Sequence, residues 1–212
     1  MVKIAFFDLE GTLTKGGSWE KVKYKFGAKK LSEEYDKLYE EGKVGFEEWR
    51  RDLAKIWKKN RITKQQFIDE LKDYKLMPNA KELIKGLKKK GFKTVIITGA
   101  PDIFTELVAK ELGVDESYSA IEFIFDKNNI LQDIKTHENY RRGQGKIDFI
   151  KKVIAREGAK PEDCIAIGGD DINDYWMMKE LKSFSVKPHL RQIKEVVSHE
   201  VDNLIDILNY VT

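Results

Sequence analysis

The segment that decides the fold lies at the start of the chain and reads VKIAFFDLEGTLT, residues 2–14. Its first six residues are apolar except for one lysine, and they predict a short strand over Val2–Phe7. Asp8 follows this strand directly, and the turn after it carries a second acid, Glu10. In an open parallel sheet, ligands bind beyond the carboxyl ends of the strands, so Asp8 stands where a reactive group is expected.

Three further apolar runs repeat this pattern of strand and polar turn. We predict strands over Thr94–Ile97, Cys164–Ile167 and Phe184–Val186. Helical segments precede the first two strands, over Ala80–Lys90 and 146–157, and a glycine follows each of them. Strands that alternate with helices predict the α/β class, here a three-layer α/β/α core with a mostly parallel, Rossmann-like sheet.

Residues 15–76 interrupt this alternation. Apolar side chains recur there at helical spacing, in the sets Tyr35, Leu38, Tyr39; Phe46, Trp49, Leu53, Trp57; and Phe67, Leu71, Tyr74. A capping box at Thr63, with a glutamine three residues later, fits the start of the last helix. We therefore predict a core domain of residues 1–14 and 77–212 and a small helical cap domain of residues 15–76. A β-hairpin is predicted over Tyr118–Leu131, around an Asn-Asn turn.

Composition and charge narrow the function classes. The chain carries 39 basic and 36 acidic side chains, a net charge of +3, which argues against a dedicated nucleic-acid binder. The single cysteine, Cys164, excludes an internal disulfide and most zinc sites. No apolar stretch has the length of a signal peptide or of a membrane helix of ~18 residues. We expect a cytoplasmic protein, monomeric or homodimeric, that binds neither membranes nor nucleic acid.

Polar residues at four places make one chemical pattern. Asp8 follows the first strand, Thr98 and Gly99 follow the second, Lys146 opens a helix, and the run GGDDIND, residues 168–174, follows the third strand. Clustered carboxylates need a cation, and oxygen ligands without His or Cys point to Mg²⁺. A threonine hydroxyl, a lysine and glycine amides are donors for phosphate oxygens. The pattern therefore predicts a metal-assisted phosphate site with Asp8 placed as a nucleophile.

These motifs resemble those of a known family. The DLEGTLT motif, Thr98, Lys146 and the run Gly169–Asp174 match the four motifs of the haloacid-dehalogenase-like hydrolase superfamily, in order and at suitable strand ends. The helical insertion resembles the cap of the phosphoserine phosphatase-like branch. Within it, the segment EGKVGF at 41–46, followed by Arg51, is similar to a cap segment of that branch.

The resemblance implies a Mg²⁺-dependent phosphomonoester hydrolase that works through an aspartyl-phosphate on Asp8. The ion would be held by Asp8, Asp170 and the backbone carbonyl of Glu10. Thr98 and the Gly99 amide would orient the phosphoryl oxygens.

Further residues of the motifs would act around the transferred group. Lys146 would bind the phosphoryl group and neutralise its charge during the transfer. Asp174 would position Lys146 or a metal-bound water, and Asn173 would support the site in the same way. Asp171 stands where the phosphoserine branch often has glycine, so its role stays open.

Glu10 departs from the family pattern, which normally has aspartate two residues after the nucleophile. That aspartate serves as the acid toward the leaving group and then as the base toward water. Glutamate keeps the carboxyl group but adds a methylene, which moves the acid by roughly 1.5 Å. We expect Glu10 to do the same work, with its pKa raised by a neighbouring carboxylate.

The favoured substrate is L-phosphoserine, whose ammonium group needs an anion in the cap and whose carboxylate needs a cation. Glu20 and Arg51 are the candidates, with Arg50 as a neighbour. Glu20 lies slightly further beyond the nucleophile than the branch pattern leads us to expect. Another small phosphorylated metabolite therefore stays open as the substrate.

Other activities use similar residues. A dehalogenase of the same superfamily needs no metal carboxylates, so Glu10 and Asp170 argue against it. A phosphotransferase would use the same residues and stays open. A phospho-accepting signalling domain would carry its acceptor on a middle strand, whereas Asp8 follows the first. A non-catalytic phospho-ligand binding protein has only the change at Glu10 in its favour.

Overall fold

The computed structural model describes residues 2–40, 43, 46–137 and 144–212. The side chains of Tyr39 and Phe46, and most of the cap segment at 41–46, lie outside this description.

The chain alternates between strands and helices, as its sequence predicts. The strands are β1 (Lys3–Phe7), β2 (Thr14–Lys15), β3 (Lys75–Leu76), β4 (Phe92–Pro101), β5 (Glu116–Phe125), β6 (Leu131–Thr136), β7 (Cys164–Ile167), β8 (Lys182–Val186) and β9 (His199–Val201). The helices are α1 (Ser18–Lys25), α2 (Lys29–Glu40), α3 (Phe46–Lys59), α4 (Lys64–Leu71), α5 (Ala80–Lys89), α6 (Asp102–Leu112), α7 (Gln144–Glu157), α8 (Tyr175–Glu180) and α9 (Arg191–Lys194).

Seven of the strands form one sheet in the order β6-β5-β4-β1-β7-β8-β9. Its neighbouring strands are parallel except for the edge pair β5–β6, which is antiparallel. The predicted α/β class with a mostly parallel sheet is confirmed. The order places β1 between β4 and β7, so the residues that follow these three strands share one edge of the sheet.

Both faces of the sheet are covered, which gives the predicted three layers. Along β1, Ile4 and Phe6 point to one face and pack in a cluster with Ile150 of α7. The alternate residues Ala5 and Phe7 belong to the opposite cluster, which includes side chains of α5 and α6. A strand buried on both faces has no polar face to show, which is why this segment reads as an apolar run rather than as an alternation.

The predicted hairpin is present, but it reaches further than expected. Its turn is fixed by Asp126, whose Oδ1 accepts hydrogen bonds from the amides of Asn128 and Ile130, and Asn129 adopts φ 58°. The prediction stopped at Leu131, where the second strand in fact begins. The polar residues of this strand hide it from a pattern that seeks apolar runs.

In the part of the chain that the structure describes, helices α1–α4 lie between β2 and β3. These two short strands pair antiparallel, Thr14 with Leu76 and Lys15 with Lys75. The chain therefore enters the inserted helices and leaves them at the same place. The capping box at Thr63 is confirmed. Tyr74, predicted to belong to the last helix, instead lies beyond its end, where its ring packs edge-on against Phe104 at 5.4 Å.

The inserted helices pack against the hairpin through three aromatic rings, Trp57 of α3, Phe67 of α4 and Phe123 of β5, which we call the aromatic bridge. The ring centroid of Phe123 lies 4.9 Å from that of Phe67 and 5.7 Å from that of Trp57. Backbone hydrogen bonds flank the bridge, from the Lys64 amide to the Asn129 carbonyl at 2.8 Å and from Leu131 to Ile62 at 2.9 Å. Insertion and hairpin therefore share one hydrophobic core.

Asp102 gives the fold a pH-dependent contact between α6 and β5. Its Oδ1 accepts hydrogen bonds from the amides of Ile103 at 2.9 Å and Phe123 at 3.1 Å. Burial nevertheless raises the pKa of this carboxyl from 3.8 to about 6. The folded state therefore holds the proton more tightly than the unfolded chain, and the ionised form destabilises the fold as the pH rises through this range.

We expect Asp102→Asn to remove this pH dependence. Relative to the variant, the parent protein should lose about 2 kcal/mol of unfolding free energy between about pH 4 and about pH 7. Urea unfolding of both proteins across this range measures the difference. A constant difference at every pH would show that Asp102 ionises normally.

Candidate active site

The ends of β1, β4 and β7 bring the predicted groups together. Asp8 continues the ladder of β1, with its amide donating to the Ile167 carbonyl at 2.9 Å. Thr98 lies on the neighbouring strand, and its Oγ1 accepts a hydrogen bond from the Ala100 amide at 3.1 Å. Both side chains are buried, Asp8 with 5% and Thr98 with 2% of its surface exposed. Two polar groups are thus held beneath the surface side by side. Thr98 and Gly99 lie inside β4 rather than after it, because this strand continues past its predicted end at Ile97 to Pro101, with an irregularity in its pairing after Thr98.

A buried lysine joins two carboxylates at the centre of the site. The Nζ atom of Lys146 lies 2.5 Å from Oδ1 of Asp8 and 2.6 Å from Oδ1 of Asp174. The second oxygen of Asp174 accepts a hydrogen bond from the Gly169 amide at 2.7 Å. Asp174 is fully buried, and Lys146 has only 2% of its surface exposed. One cation therefore serves two buried anions, and Asp174 fixes the position of Lys146.

Burial opposes ionisation at this cluster, and the lysine favours it. Burial raises the pKa of Asp8, while the charge and hydrogen bond of Lys146 pull it down. Burial likewise raises the pKa of Asp174, to about 6, against the same lysine. A further cation beside Asp8 would favour its carboxylate form.

Helix α7 delivers Lys146 to this position. Ile147 and Ile150, on the buried side of this helix, pack in one cluster with Ile4 and Phe6 of β1. Lys146 lies in the first turn of the helix, so the same packing that buries the isoleucines carries its ammonium group to the strand ends.

Asp170 approaches the turn after β1 through a gap left by a glycine. Gly11 has φ +77°, and a Cβ built on it would lie 2.0 Å from Oδ2 of Asp170. A side chain at this position would thus displace the carboxylate and strain the backbone. Desolvation raises the pKa of Asp170, and the neighbouring Asp174 and Asp171 add to the effect, whereas His189 opposes it.

The donor set suits a hard cation such as Mg²⁺. The carboxylates of Asp8 and Asp170 and the carbonyl of Glu10 are all oxygen ligands, and both carboxylates have raised pKa values that a cation would lower. Among the described residues, no three His, Cys, Asp or Glu side chains converge as a ready metal cage. A site with two carboxylates would keep several waters on the ion, as Mg²⁺ commonly does.

The role left open for Asp171 is structural. Its side chain accepts a hydrogen bond from the Asn173 amide at 2.7 Å and caps a short 3₁₀ turn over Ile172–Asp174. Asn173 lies within this turn and is half-buried, and Asp174, the last residue of the turn, reaches the buried cluster. Asp171 itself is exposed.

Glu10 points toward the insertion. Its Oε1 accepts a hydrogen bond from the backbone amide of Ser18, the first residue of α1. Burial raises the pKa of Glu10, the contacts with Ser18 lower it, and Glu20 raises it. The carboxyl group is therefore held between the core and the insertion.

Glu20 folds back over Gly17. A Cβ built on Gly17 would lie 2.0 Å from Oε2 of Glu20 and 3.8 Å from Oε1 of Glu10. The structure thus brings Glu20 beside Glu10, even though it lies further along the chain than the resemblance suggests. The Nζ atom of Lys23 lies 3.8 Å from Oε1 of Glu20.

The structure does not bring Arg51 to the same place. Leu53 and Trp57 mark the buried face of α3, and Arg51 lies two residues before Leu53, roughly 200° around the helix, on the exposed side. Arg50 forms salt bridges instead, to Glu47 at 2.8 Å and to Asp133 of the hairpin at 3.4 Å.

Trp19 is a site residue that sequence analysis missed. Its indole Nε1 donates to the Gly99 carbonyl at 3.3 Å, so α1 touches the turn predicted to hold the phosphate. Its ring lies 5.2 Å from Trp49 and 5.9 Å from Phe123. The sequence did offer one signal, because Trp19 lies at the start of the first helix after the Asp8 motif, where the chain is still close to the site.

Comparison with known proteins decides the family. A family model described as haloacid dehalogenase-like hydrolase matches residues 2–182. The chain belongs to this family. It is 27% identical to the phosphoserine phosphatase of Methanocaldococcus jannaschii over 212 residues, which cover 99% of this chain and 97% of that protein. The phosphoserine phosphatase of Wolinella succinogenes is 27% identical over 209 residues, with 95% and 96% covered.

Solved structures of this hydrolase family share the fold. A substrate-bound phosphoserine phosphatase complex superposes with a TM-score of 0.79 at 22% identity, covering 100% of this chain and 99% of that one. The predicted placement in the phosphoserine phosphatase-like branch is confirmed. Within the described ranges, every helix is too short or too polar to cross a bilayer.

Proposed function

We propose that this hydrolase is a Mg²⁺-dependent phosphomonoester phosphatase that works through an aspartyl-phosphate on Asp8. The observation that carries the proposal is the buried Asp8–Lys146–Asp174 cluster at the strand ends, with Thr98 on the next strand. A nucleophile, a cation and a hydroxyl donor at one place are what phosphoryl transfer requires.

In the first half of the reaction, a carboxylate oxygen of Asp8 attacks phosphorus and the bond to the ester oxygen breaks. Thr98 and the Gly99 amide orient the phosphoryl oxygens, and Lys146 offsets their charge. Glu10 donates its proton to the departing alcohol oxygen. Mg²⁺, when bound by Asp8, Asp170 and the Glu10 carbonyl, would reduce the repulsion between carboxylate and phosphate.

In the second half, water attacks the phosphorus of the aspartyl-phosphate. Glu10, now ionised, takes a proton from this water, and Asp8 leaves as the free carboxylate. Asp174 keeps Lys146 in place throughout, and Asn173 supports the same loop. We assign residues 15–76 to a cap that covers the site, with residues 1–14 and 77–212 as the core, because Trp19 of α1 lies against the Gly99 carbonyl.

L-Phosphoserine is the first substrate to consider. The names of the curated relatives support it, and Glu20 beside Glu10 offers an anion for its ammonium group. Arg51 lies on the exposed side of α3, roughly 200° around the helix from its buried face, so we do not assign it to the substrate carboxylate. A small phosphomonoester with an amine and no carboxylate is therefore the second candidate.

Phosphate release from L-phosphoserine, phosphoethanolamine and simple alkyl phosphates, with Mg²⁺ or with chelator, tests the proposal. We expect turnover that chelator lowers by about a hundredfold or more, since the ion supplies several kcal/mol of charge stabilisation. A preference of more than about tenfold for phosphoserine over phosphoethanolamine would show recognition of the carboxylate. Comparable rates would favour the second candidate. Absence of phosphate release from every ester under these conditions would instead favour a binding protein.

A further inference from the structure

The amide of Ser18 reaches Glu10 from a different part of the structure. Glu10 lies in the turn after β1, whereas Ser18 opens the first helix of the insertion. The residue before the helix, Gly17, has no side chain with which to cap it, and the Glu10 carboxylate accepts the amide hydrogen instead. A helix amide thus holds the side chain that the proposed mechanism uses for proton transfer.

The length of Glu10 fits this contact. A carboxylate one methylene shorter would stop roughly 1.5 Å short of the amide unless the backbone moved. The positive end of α1 also favours an anion at this place, and the carboxylate of Glu20 lies on Gly17 nearby. The glutamate at position 10 is therefore matched to the start of α1.

We propose that Ser18 is a positioning residue for Glu10, and that its backbone N–H holds the Glu10 carboxyl group in place for proton transfer to the leaving group. The inference rests on the proposed function, because it assumes that Glu10 is the acid. It assigns the work to the amide, because the backbone nitrogen donates to Oε1, while the buried Ser18 hydroxyl adds a lesser contact with the same carboxyl group.

Ser18→Pro removes this donor at a place that accepts proline. Ser18 is the first residue of α1, where proline is common because the amide has no partner within the helix. Gly17 has φ −94° and ψ 134°, the extended conformation that a residue before proline prefers. Circular dichroism and thermal unfolding establish that the variant folds.

The decisive readout is the dependence of kcat/KM on the leaving group, because kcat/KM covers substrate binding and the first phosphoryl transfer but not the later hydrolysis of the aspartyl-phosphate. The alcohol of an alkyl phosphate needs a proton on its oxygen as it departs. The nitrophenolate of a nitrophenyl phosphate is stable as an anion and departs without one. We expect Ser18→Pro to lower kcat/KM about tenfold to a hundredfold for the alkyl ester and less than about threefold for the aryl ester. Equal losses for both esters would overturn the proposal.

Three further variants complete the test. Ser18→Ala keeps the amide and removes only the hydroxyl, so we expect a smaller loss of alkyl-ester kcat/KM than for Ser18→Pro; a loss as large as that of Ser18→Pro would overturn the assignment to the amide. In a Glu10→Gln background, Ser18→Pro should have no further effect, because the acid is already absent. Glu10→Asp removes the same contact by shortening the acceptor side chain, and it replaces Ser18→Pro in the test if that variant does not fold. Undiminished alkyl-ester turnover by Glu10→Asp would also overturn the proposal.

Failure of the inference is distinguishable from failure of the proposed function. If the parent protein releases no phosphate from either ester, the proposed function is wrong. If it turns over both esters and Ser18→Pro matches it on each, only the role of Ser18 is wrong.

Discussion

Replacement of Asp8 by asparagine is expected to lower kcat by about 10⁴-fold or more, because the amide cannot form the aspartyl-phosphate. The side chain keeps its size and can still meet Lys146, so the fold should persist. Phosphate release measures the rate, and acid quenching of the reaction with radiolabelled substrate measures the phosphorylated protein. Label should be retained on the parent protein and absent from the variant.

Asp202→Asn supplies the matched control for this experiment. It makes the same chemical change at an exposed carboxylate whose contact with Lys187 spans 3.8 Å. We expect its turnover to stay within about twofold of the parent value, as for most surface substitutions. Label on Asp8→Asn, or turnover by it, would assign the nucleophile to another residue.

Replacement of Lys146 by methionine should cost both activity and stability. It leaves the buried carboxylates of Asp8 and Asp174 without their shared cation, and breaking a buried ion pair in this way costs about 3–5 kcal/mol. Both carboxyls already have raised pKa values, and loss of the lysine raises them further. Protonation relieves the unpaired charge, so the loss should be larger at about pH 8 than at about pH 5.

Urea unfolding of Lys146→Met and of Lys151→Met at the two pH values tests this expectation. Lys151 lies on the same helix, but its side chain is 58% exposed and pairs with Glu180 at the surface, so its loss should matter little. An equal loss of stability at both pH values for Lys146→Met would show that unpaired carboxylates are not its cause.

The positions of the main site groups were predictable because a parallel sheet gathers its strand ends. Asp8 and Thr98 each follow a short apolar run, and Asp170 follows another after two glycines, so the pattern that finds the strands also finds the residues. Lys146 was harder, since a lysine near a helix start is common. Its assignment came from the resemblance, and its burial became visible only in the folded chain.

The insertion was predictable as helices but not as a packed unit. Helical spacing identified Trp57 and Phe67 as buried, yet nothing in the sequence indicates that Phe123 of the hairpin completes their cluster, because that contact spans distant parts of the chain. The exposure of Arg51 could have been foreseen, since Trp49 and Leu53 define the opposite face of the same helix.

The hydrogen bond between Ser18 and Glu10 shows a different kind of limit. It depends on how far α1 leans toward the turn after β1, which is a tertiary property that local sequence does not encode. The presence of glutamate where the family has aspartate was visible in the sequence, but the Ser18 amide that contacts this glutamate was not.

The aromatic bridge of Trp57, Phe67 and Phe123 has a consequence for protein engineering. A cap joined to its core only through the paired strands β2 and β3 could be exchanged between relatives by cutting there. In this chain, such a cut would strip the hairpin of its partners and leave Phe123, which is now 4% exposed, open to water. The transferable module is therefore the insertion together with β5 and β6, although residues 77–115 separate them along the chain. Cap exchange that ignores the hairpin would yield an aggregation-prone core before it yielded a new specificity.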